Sequence, residues 1–118
     1  MAKTENKNIY KITKLRFRDE EKGIWSPWEY EACSLTPNYE SSKNIERGIT
    51  GRHQDLSNLA LELSSFPDIT NAEFIPNSEN APKISLGKNT MTQKAIVTDD
   101  ELVDLVTATL RIYNRNNQ

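Results

Sequence analysis

Two segments near the start of the chain alternate apolar and charged side chains, and this pattern constrains the fold more than any other feature. The segments are residues 13–18 (TKLRFR) and residues 28–33 (WEYEAC). Side chains of a β-strand point to opposite faces in turn, so each segment is typical of a strand with one buried and one solvated face. Residues 19–23 between them have turn chemistry, and Gly23 can adopt a positive φ. The sequence therefore predicts an N-terminal β-hairpin.

One register of this hairpin satisfies both faces at once. It places aromatic and apolar side chains opposite each other on one face, and cations opposite carboxylates on the other. The predicted pairs are Phe17 with Trp28, Leu15 with Tyr30, Arg16 with Glu29, and Lys14 with Glu31. In this register, carboxylates of the second strand neutralise much of the basic charge of the first.

The rest of the chain predicts a small single α+β domain over residues 1–118, with residues 1–8 and 115–118 flexible. Apolar positions at helical spacing indicate a helix over 52–65, preceded by a short turn over 44–48. Short alternating pieces at 72–75, 83–86 and 94–97 are candidate strands, with an exposed loop over 76–82. The second strand is expected to end near Leu35. We expect an antiparallel sheet with two main helices on the face that carries Leu15, Phe17, Trp28 and Tyr30.

A second helix is predicted over residues 99–114. Thr98 and Glu101 have the spacing of a capping box, in which the hydroxyl accepts from the amide three residues later and the carboxylate reaches back. The expected apolar face consists of Leu102, Val103, Val106, Leu110 and Tyr113. Such a broad face also leaves a homodimer open.

Composition limits the classes of partner. The 15 basic and 17 acidic residues give a net charge of −2, so no overall field attracts nucleic acid. The single cysteine, Cys33, excludes an intramolecular disulfide and fits the reducing cytoplasm. No window approaches the roughly 20 apolar residues needed to span a bilayer. We therefore expect a cytoplasmic protein that has no membrane partner.

The sequence contains few groupings that carry chemistry. His53 is the only histidine, which excludes a two-histidine metal site within one chain, and we expect it in the first turn of a helix. There is no glycine-rich phosphate loop and no zinc-type spacing of cysteine and histidine. We accordingly expect no catalytic residues, no cofactor and no metal, and interpret the protein as a non-enzyme.

Residues 25–28, Trp-Ser-Pro-Trp, resemble the tryptophan motif of thrombospondin-type repeats. The resemblance covers these four positions and Cys33-Ser34. Those repeats depend on several disulfides, which one cysteine cannot form, so we draw no expectation about this chain from it.

The favoured hypothesis is a small protein that binds another protein through the hairpin loop. Trp25 has no assigned core partner and lies beside Ile24, and an exposed tryptophan buries a large area at low entropic cost. A short chain with 12 asparagines is typical of inhibitors, immunity proteins and accessory proteins of phages and mobile elements. The expected partner-binding residues are Glu20, Glu21, Lys22, Ile24 and Trp25, with a second contact in the loop over 76–82.

The alternative hypothesis is a nucleic-acid-binding accessory protein that uses the basic first strand. Residues 1–25 carry seven cations and four carboxylates, although the rest of the chain is acidic. In this interpretation Tyr10 or Trp25 stacks on bases. The expected contacts are Lys7, Lys11, Lys14, Arg16 and Arg18.

Overall fold

The computed structural model describes residues 8–19, 21–38, 43–77, 85–87 and 90–117, and for residues 36–38, 43–47, 85–87 and 90–91 it describes the backbone alone. The described chain is a small α+β domain, as predicted, with seven strands in one sheet. A 3-10 helix covers Ile69–Asn71. The strands are β1 (Ile9–Asp19), β2 (Ile24–Trp25), β3 (Glu29–Asn38), β4 (Lys43–His53), β5 (Glu73–Pro76), β6 (Ser85–Gly87) and β7 (Thr90–Ala95), and the helices are α1 (Leu56–Leu63) and α2 (Asp99–Asn116).

The first strand lies at the centre of the sheet. One edge of β1 pairs antiparallel with β3 and, nearer the turn, with β2. The other edge pairs in parallel with β5 and then antiparallel with β7. The path through the sheet is β4-β3-β1-β7-β6. The predicted sheet built on an N-terminal hairpin is confirmed, with one parallel pair added.

The predicted register of the hairpin is wrong by one residue. Tyr30 lies opposite Lys14, and Glu29 lies opposite Leu15. None of the four predicted pairs is therefore a facing pair. These were Arg16 with Glu29, Lys14 with Glu31, Phe17 with Trp28, and Leu15 with Tyr30. Because strand side chains alternate, a shift of one residue moves each side chain to the other face. Lys14 and Arg16 consequently share a face with Trp28 and Tyr30.

A local irregularity near Pro27 explains the shift. At the turn, Trp25 lies opposite Arg18, and the Ser26 amide donates to the Phe17 carbonyl at 2.6 Å. Further along, Glu29 lies opposite Leu15. Two residues, Pro27 and Trp28, therefore face the single residue Arg16, which is the arrangement of a β-bulge. Proline has no N–H to donate, so a break in the ladder is least costly there.

Both helices pack on the face of β1 that carries Tyr10 and Ile12. These residues join Ala32 of β3 in the main core, whose helical members are Leu59, Ala60, Leu63 and Leu105. Tyr30 packs against this core, but the predicted helix-covered face of Leu15, Phe17 and Trp28 is wrong. Leu15 is buried on the opposite face of the sheet. Phe17 lies on that face too, with its ring centre 5.2 Å from the guanidinium carbon of Arg52. The face of β1 that carries Tyr10 and Ile12 is apolar only as far as Ile12, and its side chains are cationic from Lys14 onward.

The region predicted as a turn followed by the start of a helix is the strand β4. Ile45 and Ile49 are four residues apart, a spacing that fits one face of a helix and also one face of a strand. The strand β3 extends to Asn38, beyond the predicted end near Leu35, and pairs with β4 through two register shifts. The helix α1 therefore begins only at Leu56, with Asp55 in an extended N-cap conformation.

The helix α1 packs closely on β4 at Gly51. A Cβ atom at this position would lie 2.8 Å from Oε1 of Glu62 and 3.1 Å from Cδ1 of Leu59. The first distance is shorter than real Cβ contacts and the second is tight, so a larger residue would require the end of the exposed Glu62 side chain to move and Leu59 to shift slightly. Leu59, Ala60 and Leu63 form the buried stripe of α1.

The C-terminal helix begins at the predicted residue and has the predicted capping box. The Glu101 amide donates to Oγ1 of Thr98 at 3.1 Å, and the Thr98 amide donates to Oε1 of Glu101 at 3.0 Å. The buried face agrees with the prediction in part: Leu102 and Tyr113 pack against the core, but its centre is Leu105 and Thr109. Val103 is 61% exposed, which removes it from the core.

The segment after α1 contains the expected short strands in part. β5 lies close to the predicted position, and β6 covers the end of the predicted strand over 83–86. β7 begins four residues before the predicted strand over 94–97 and ends at Ala95. The predicted loop over 76–82 begins with described residues, of which Pro76 belongs to β5 and Asn77 is buried. Residues 78–82 lie outside the described residues. Among the helices that the structure describes, none is long and apolar enough to cross a membrane.

Candidate protein-interaction site at the hairpin end

The turn between β1 and β2 is held by hydrogen bonds to Asp19. Gly23 adopts a φ of +66°, as its predicted role requires, and its amide donates to the Asp19 carbonyl at 2.7 Å. The Asp19 carboxylate accepts from the amides of Glu21 at 2.9 Å and Lys22 at 3.3 Å. These bonds fix the backbone that carries the side chains of the hairpin end.

A pocket of about 500 Å³ opens at this end of the hairpin. Its apolar wall includes Ile24, which is 59% exposed, and the half-buried side chains of Phe17 and Trp25. Charged side chains of both signs line the remainder. We call this the hairpin-end pocket, and its lining residues are Phe17, Arg18, Asp19, Glu21, Lys22, Ile24, Trp25, Ser26 and Pro27.

Ser26 ties the two strands together beside the pocket. Its hydroxyl accepts from the Phe17 amide at 2.9 Å and donates to the Pro27 carbonyl at 3.1 Å. The side chain thereby replaces a ladder contact next to the bulge. The pocket wall is consequently fixed by backbone and side-chain hydrogen bonds as well as by packing.

Beside the pocket, three cations and three aromatic rings interleave on one face of the sheet. The Arg16 guanidinium lies 4.5 Å from the ring centre of Trp25 and 4.6 Å from that of Trp28. Cations this close to an indole are attracted by the negative face of the ring. We call the set the cation–aromatic surface, and its members are Lys14, Arg16, Arg18, Trp25, Trp28 and Tyr30.

The cations of this surface differ in their anionic partners. The Lys14 ammonium lies 3.2 Å from Oε2 of Glu101, whereas Nε of Arg16 donates to the neutral side chain of Gln93 at 2.8 Å. Within the part of the chain that the structure describes, neither Arg16 nor Arg18 forms an ion pair with a carboxylate. The site therefore presents guanidinium charge that the protein's described carboxylates do not neutralise.

Glu101 lies where the cation–aromatic surface meets α2. Burial alone would raise the pKa of its carboxyl, but hydrogen bonds from Tyr30, from Thr98 and from Lys14 outweigh burial and lower the pKa to about 2. The pKa of Tyr30 is raised to about 12, first by burial and then by the hydrogen bond to Glu101 and its charge. Between these two pKa values the Glu101 carboxyl is ionised and the Tyr30 hydroxyl keeps its proton. The hydrogen bond between them therefore stabilises the contact between helix and sheet over a wide pH range.

The structure brings most of the predicted partner-binding residues together. Glu21, Lys22, Ile24 and Trp25 all line the hairpin-end pocket, and Glu20 lies outside the described residues. Trp25 is half-buried between cations, so the most exposed apolar side chain of the set is Ile24.

The predicted nucleic-acid contacts are divided by the fold. Lys14, Arg16 and Arg18 share one face, whereas the alternation of β1 places Lys11 on the opposite face. Lys7 lies outside the described residues. The expectation that Tyr10 stacks on bases is wrong, because its side chain is only 4% exposed in the core. Its ring lies 6.1 Å from that of Phe66 and 5.7 Å from that of Phe74.

Several residues of the site did not follow from the alternating pattern. Phe17 was assigned to the core and Ser26 had no role, yet both line the hairpin-end pocket. The signal for them was Pro27, whose missing N–H favours a bulge within the second strand. A bulge at Pro27 moves Trp28 onto the face of Arg16, and thereby produces the cation–aromatic surface.

Among the residues that the structure describes, the other titratable side chains form no comparable grouping. His53 lies at the end of β4 and not in the first turn of a helix, and its Nε2 is 2.5 Å from Oε1 of Glu62. In the described ranges, no three histidine, cysteine, aspartate or glutamate side chains cluster closely enough to hold a metal ion. The hairpin end, by contrast, combines an exposed apolar side chain with charged side chains around one pocket. The chain matched no family model, no curated protein and no solved structure.

Proposed function

We propose that this chain is a small non-enzymatic protein-binding module that receives an apolar side chain of a partner protein in the hairpin-end pocket. The observation that carries the proposal is the exposed Ile24 beside half-buried Phe17 and Trp25, around about 500 Å³ of open volume. Apolar pockets with adjacent aromatic and arginine side chains are the usual setting of interface hot spots. The biological class that fits is an inhibitor, immunity or accessory protein of a phage or mobile element, acting in the cytoplasm.

The rigidity of the hairpin end supports this proposal. Hydrogen bonds at Asp19 and Ser26 fix the turn and the bulge before any partner arrives. A surface that is already ordered loses little conformational entropy on binding, so more of the contact energy appears as affinity. This favours a specific protein partner over a transient contact.

The alternative of nucleic-acid binding keeps one specific observation in its favour. Arg16 and Arg18 lie on one face without a carboxylate partner among the described residues, as a phosphate-binding surface would require. The aromatic rings weigh against it, because each indole already has two cations within about 6 Å of its ring centre. A stacking base would have to displace a guanidinium or an ammonium group to reach the ring.

Affinity capture from the native host tests the proposal. The tagged chain is incubated with cell extract, with and without nuclease, and bound proteins are identified by mass spectrometry. We expect a protein that survives nuclease treatment and whose recovery falls by about tenfold with Ile24→Ser, a loss typical of an interface side chain.

Leu61→Ser is the matched control, since Leu61 on α1 is 57% exposed and lies outside the hairpin-end pocket. It should leave recovery unchanged. Recovery that disappears with nuclease, or that is the same for Ile24→Ser and the wild type, would contradict the proposed function.

A further inference from the structure

We infer that the partner segment recognised at the hairpin end carries carboxylates beside its apolar anchor, with two acidic residues at alternate positions of an extended strand. This inference rests on the proposed function and specifies the chemistry of the partner. It follows from the charges next to the hairpin-end pocket and from their spacing.

The unneutralised charge lies directly beside the apolar wall. Arg18 lines the hairpin-end pocket, and its guanidinium is 5.7 Å from the ring centre of Trp25. The Arg16 guanidinium lies 4.5 Å from the same ring. When a partner side chain is inserted next to Trp25, other side chains on the same face of the partner segment therefore come within reach of both arginines.

Arg16 has spare hydrogen-bonding capacity. A guanidinium carries five N–H donors in a planar fork, and the described contact to Gln93 uses the Nε donor. Within the described part of the chain the two terminal nitrogens remain available, and together they can bind a carboxylate through two parallel hydrogen bonds. Because Trp25 and Trp28 hold the group in place, little side-chain entropy remains to be lost when a carboxylate binds.

The spacing of the arginines sets the spacing of the expected carboxylates. Arg16 and Arg18 are two residues apart on β1, so their Cα atoms are separated by about 6.5 to 7 Å along the strand. An extended partner segment has the same repeat between alternate residues. Carboxylates at positions i and i+2 therefore match the two guanidinium groups, and the residue between them points the other way.

Two nearby carboxylates are engaged in hydrogen bonds within the protein, Asp19 in the turn and Glu101 at the start of α2. The Asp19 carboxylate accepts two backbone amides, and Glu101 is engaged by Lys14 and Tyr30. Lys22 adds a further cation to the rim of the hairpin-end pocket. The hairpin-end pocket itself carries charges of both signs, and the cationic charge offered to a partner is that of Arg16 and Arg18 on the cation–aromatic surface.

Selection from a display library of random linear peptides tests the inference without knowledge of the natural partner. Peptides are selected on the wild-type chain and counter-selected on a chain that carries both Arg16→Gln and Arg18→Gln. We expect enriched sequences in which a large apolar residue and two acidic residues occupy successive alternate positions, because only alternate side chains of an extended segment face the same surface. The affinity of an enriched peptide should fall by about tenfold in the double variant, as expected for lost charge-assisted hydrogen bonds.

Arg111→Gln is the matched control, because Arg111 is an exposed arginine on α2, outside the cation–aromatic surface. It should leave peptide affinity unchanged, and the same fall as in the double variant would overturn the inference. Enriched peptides that carry an apolar residue without acidic neighbours would overturn the inference and leave the proposed function standing.

A single-stranded oligothymidine is measured in parallel to distinguish the two proposals. If it binds, loses affinity in the double variant, and no peptide is enriched, both the inference and the proposed function are overturned. If neither peptide nor oligothymidine binds, the inference is overturned, because the surface then recognises no linear acidic segment.

Discussion

Lys14 and Glu101 are 87 positions apart in the sequence, yet the lysine ammonium lies 3.2 Å from the glutamate carboxylate. The same carboxylate accepts from the Tyr30 hydroxyl and from the Thr98 amide. Glu101 therefore completes the capping box of α2 and also fastens the start of that helix to β1 and β3. The cation that was expected to pair with a neighbouring strand pairs with a helix instead.

Glu101→Gln should reduce the acid sensitivity of the fold. The pKa of Glu101 is lowered from 4.5 to about 2 in the folded state, so the ionised carboxylate stabilises the folded chain above pH 4.5. That stabilisation is lost as the pH falls from 4.5 toward 2. At neutral pH the substitution should lower the free energy of unfolding by about 1.5 to 3 kcal/mol, the range for hydrogen bonds to a charged group.

The measurement is denaturant unfolding of the wild type and the variant at pH values across that interval. Asp104→Asn, at an exposed position of the same helix, is the control and should keep the wild-type pH dependence. An acid profile that is identical in the wild type and Glu101→Gln would mean that this contact does not stabilise the fold.

Thr98→Ala should remove the N-cap of α2 and lower the free energy of unfolding by about 1 kcal/mol. Its hydroxyl accepts the Glu101 amide at 3.1 Å, and alanine leaves that amide without this acceptor. The denaturant midpoint measures the effect. Thr107→Ala, at an exposed position within the helix, should not lower the midpoint, because alanine has the higher helix propensity. Equal midpoints for Thr98→Ala and the wild type would indicate that the helix start contributes little to stability.

Leu105→Ala should be far more destabilising than Leu110→Ala. Leu105 is 0% exposed in the main core, and its truncation should cost about 2 to 5 kcal/mol. Leu110 is only half-buried, so its truncation removes less packed surface. Urea unfolding of the two variants compares the positions within one helix. A larger loss for Leu110→Ala would contradict the observed orientation of α2.

The sequence was sufficient for features that depend on local chemistry. The turn at Gly23, the strand character of β1 and the capping box at Thr98 and Glu101 each follow from residues within a few positions of one another. Such contacts are encoded by short patterns, so they can be inferred without knowledge of the tertiary fold. The fold class followed because two such elements, a hairpin and an amphipathic helix, need a common core.

The register and the site depended on features that alternation does not determine. The match between charged strands assumed ion pairs, whereas Arg16 is placed between Trp25 and Trp28 by cation–π contacts. Alternation also assumes an unbroken ladder, and the bulge at Pro27 breaks it. The pairing of Lys14 with Glu101 needs the three-dimensional position of α2, which no local pattern of the strand encodes.

The role of Trp25 tests the central claim most directly. The dissociation constant of the captured partner protein is measured by titration calorimetry for the wild type and Trp25→Ala, with Leu61→Ala as the control for loss of an exposed apolar side chain. Denaturant unfolding verifies that both variants remain folded. The proposed function predicts that Trp25→Ala weakens binding by at least about 2 kcal/mol, the scale of an interface hot spot. The proposed function would be contradicted if Trp25→Ala binds the partner with wild-type affinity while the wild-type chain binds single-stranded DNA. That DNA binding would be lost in the variant with both Arg16→Gln and Arg18→Gln, and it would fall steeply with added salt.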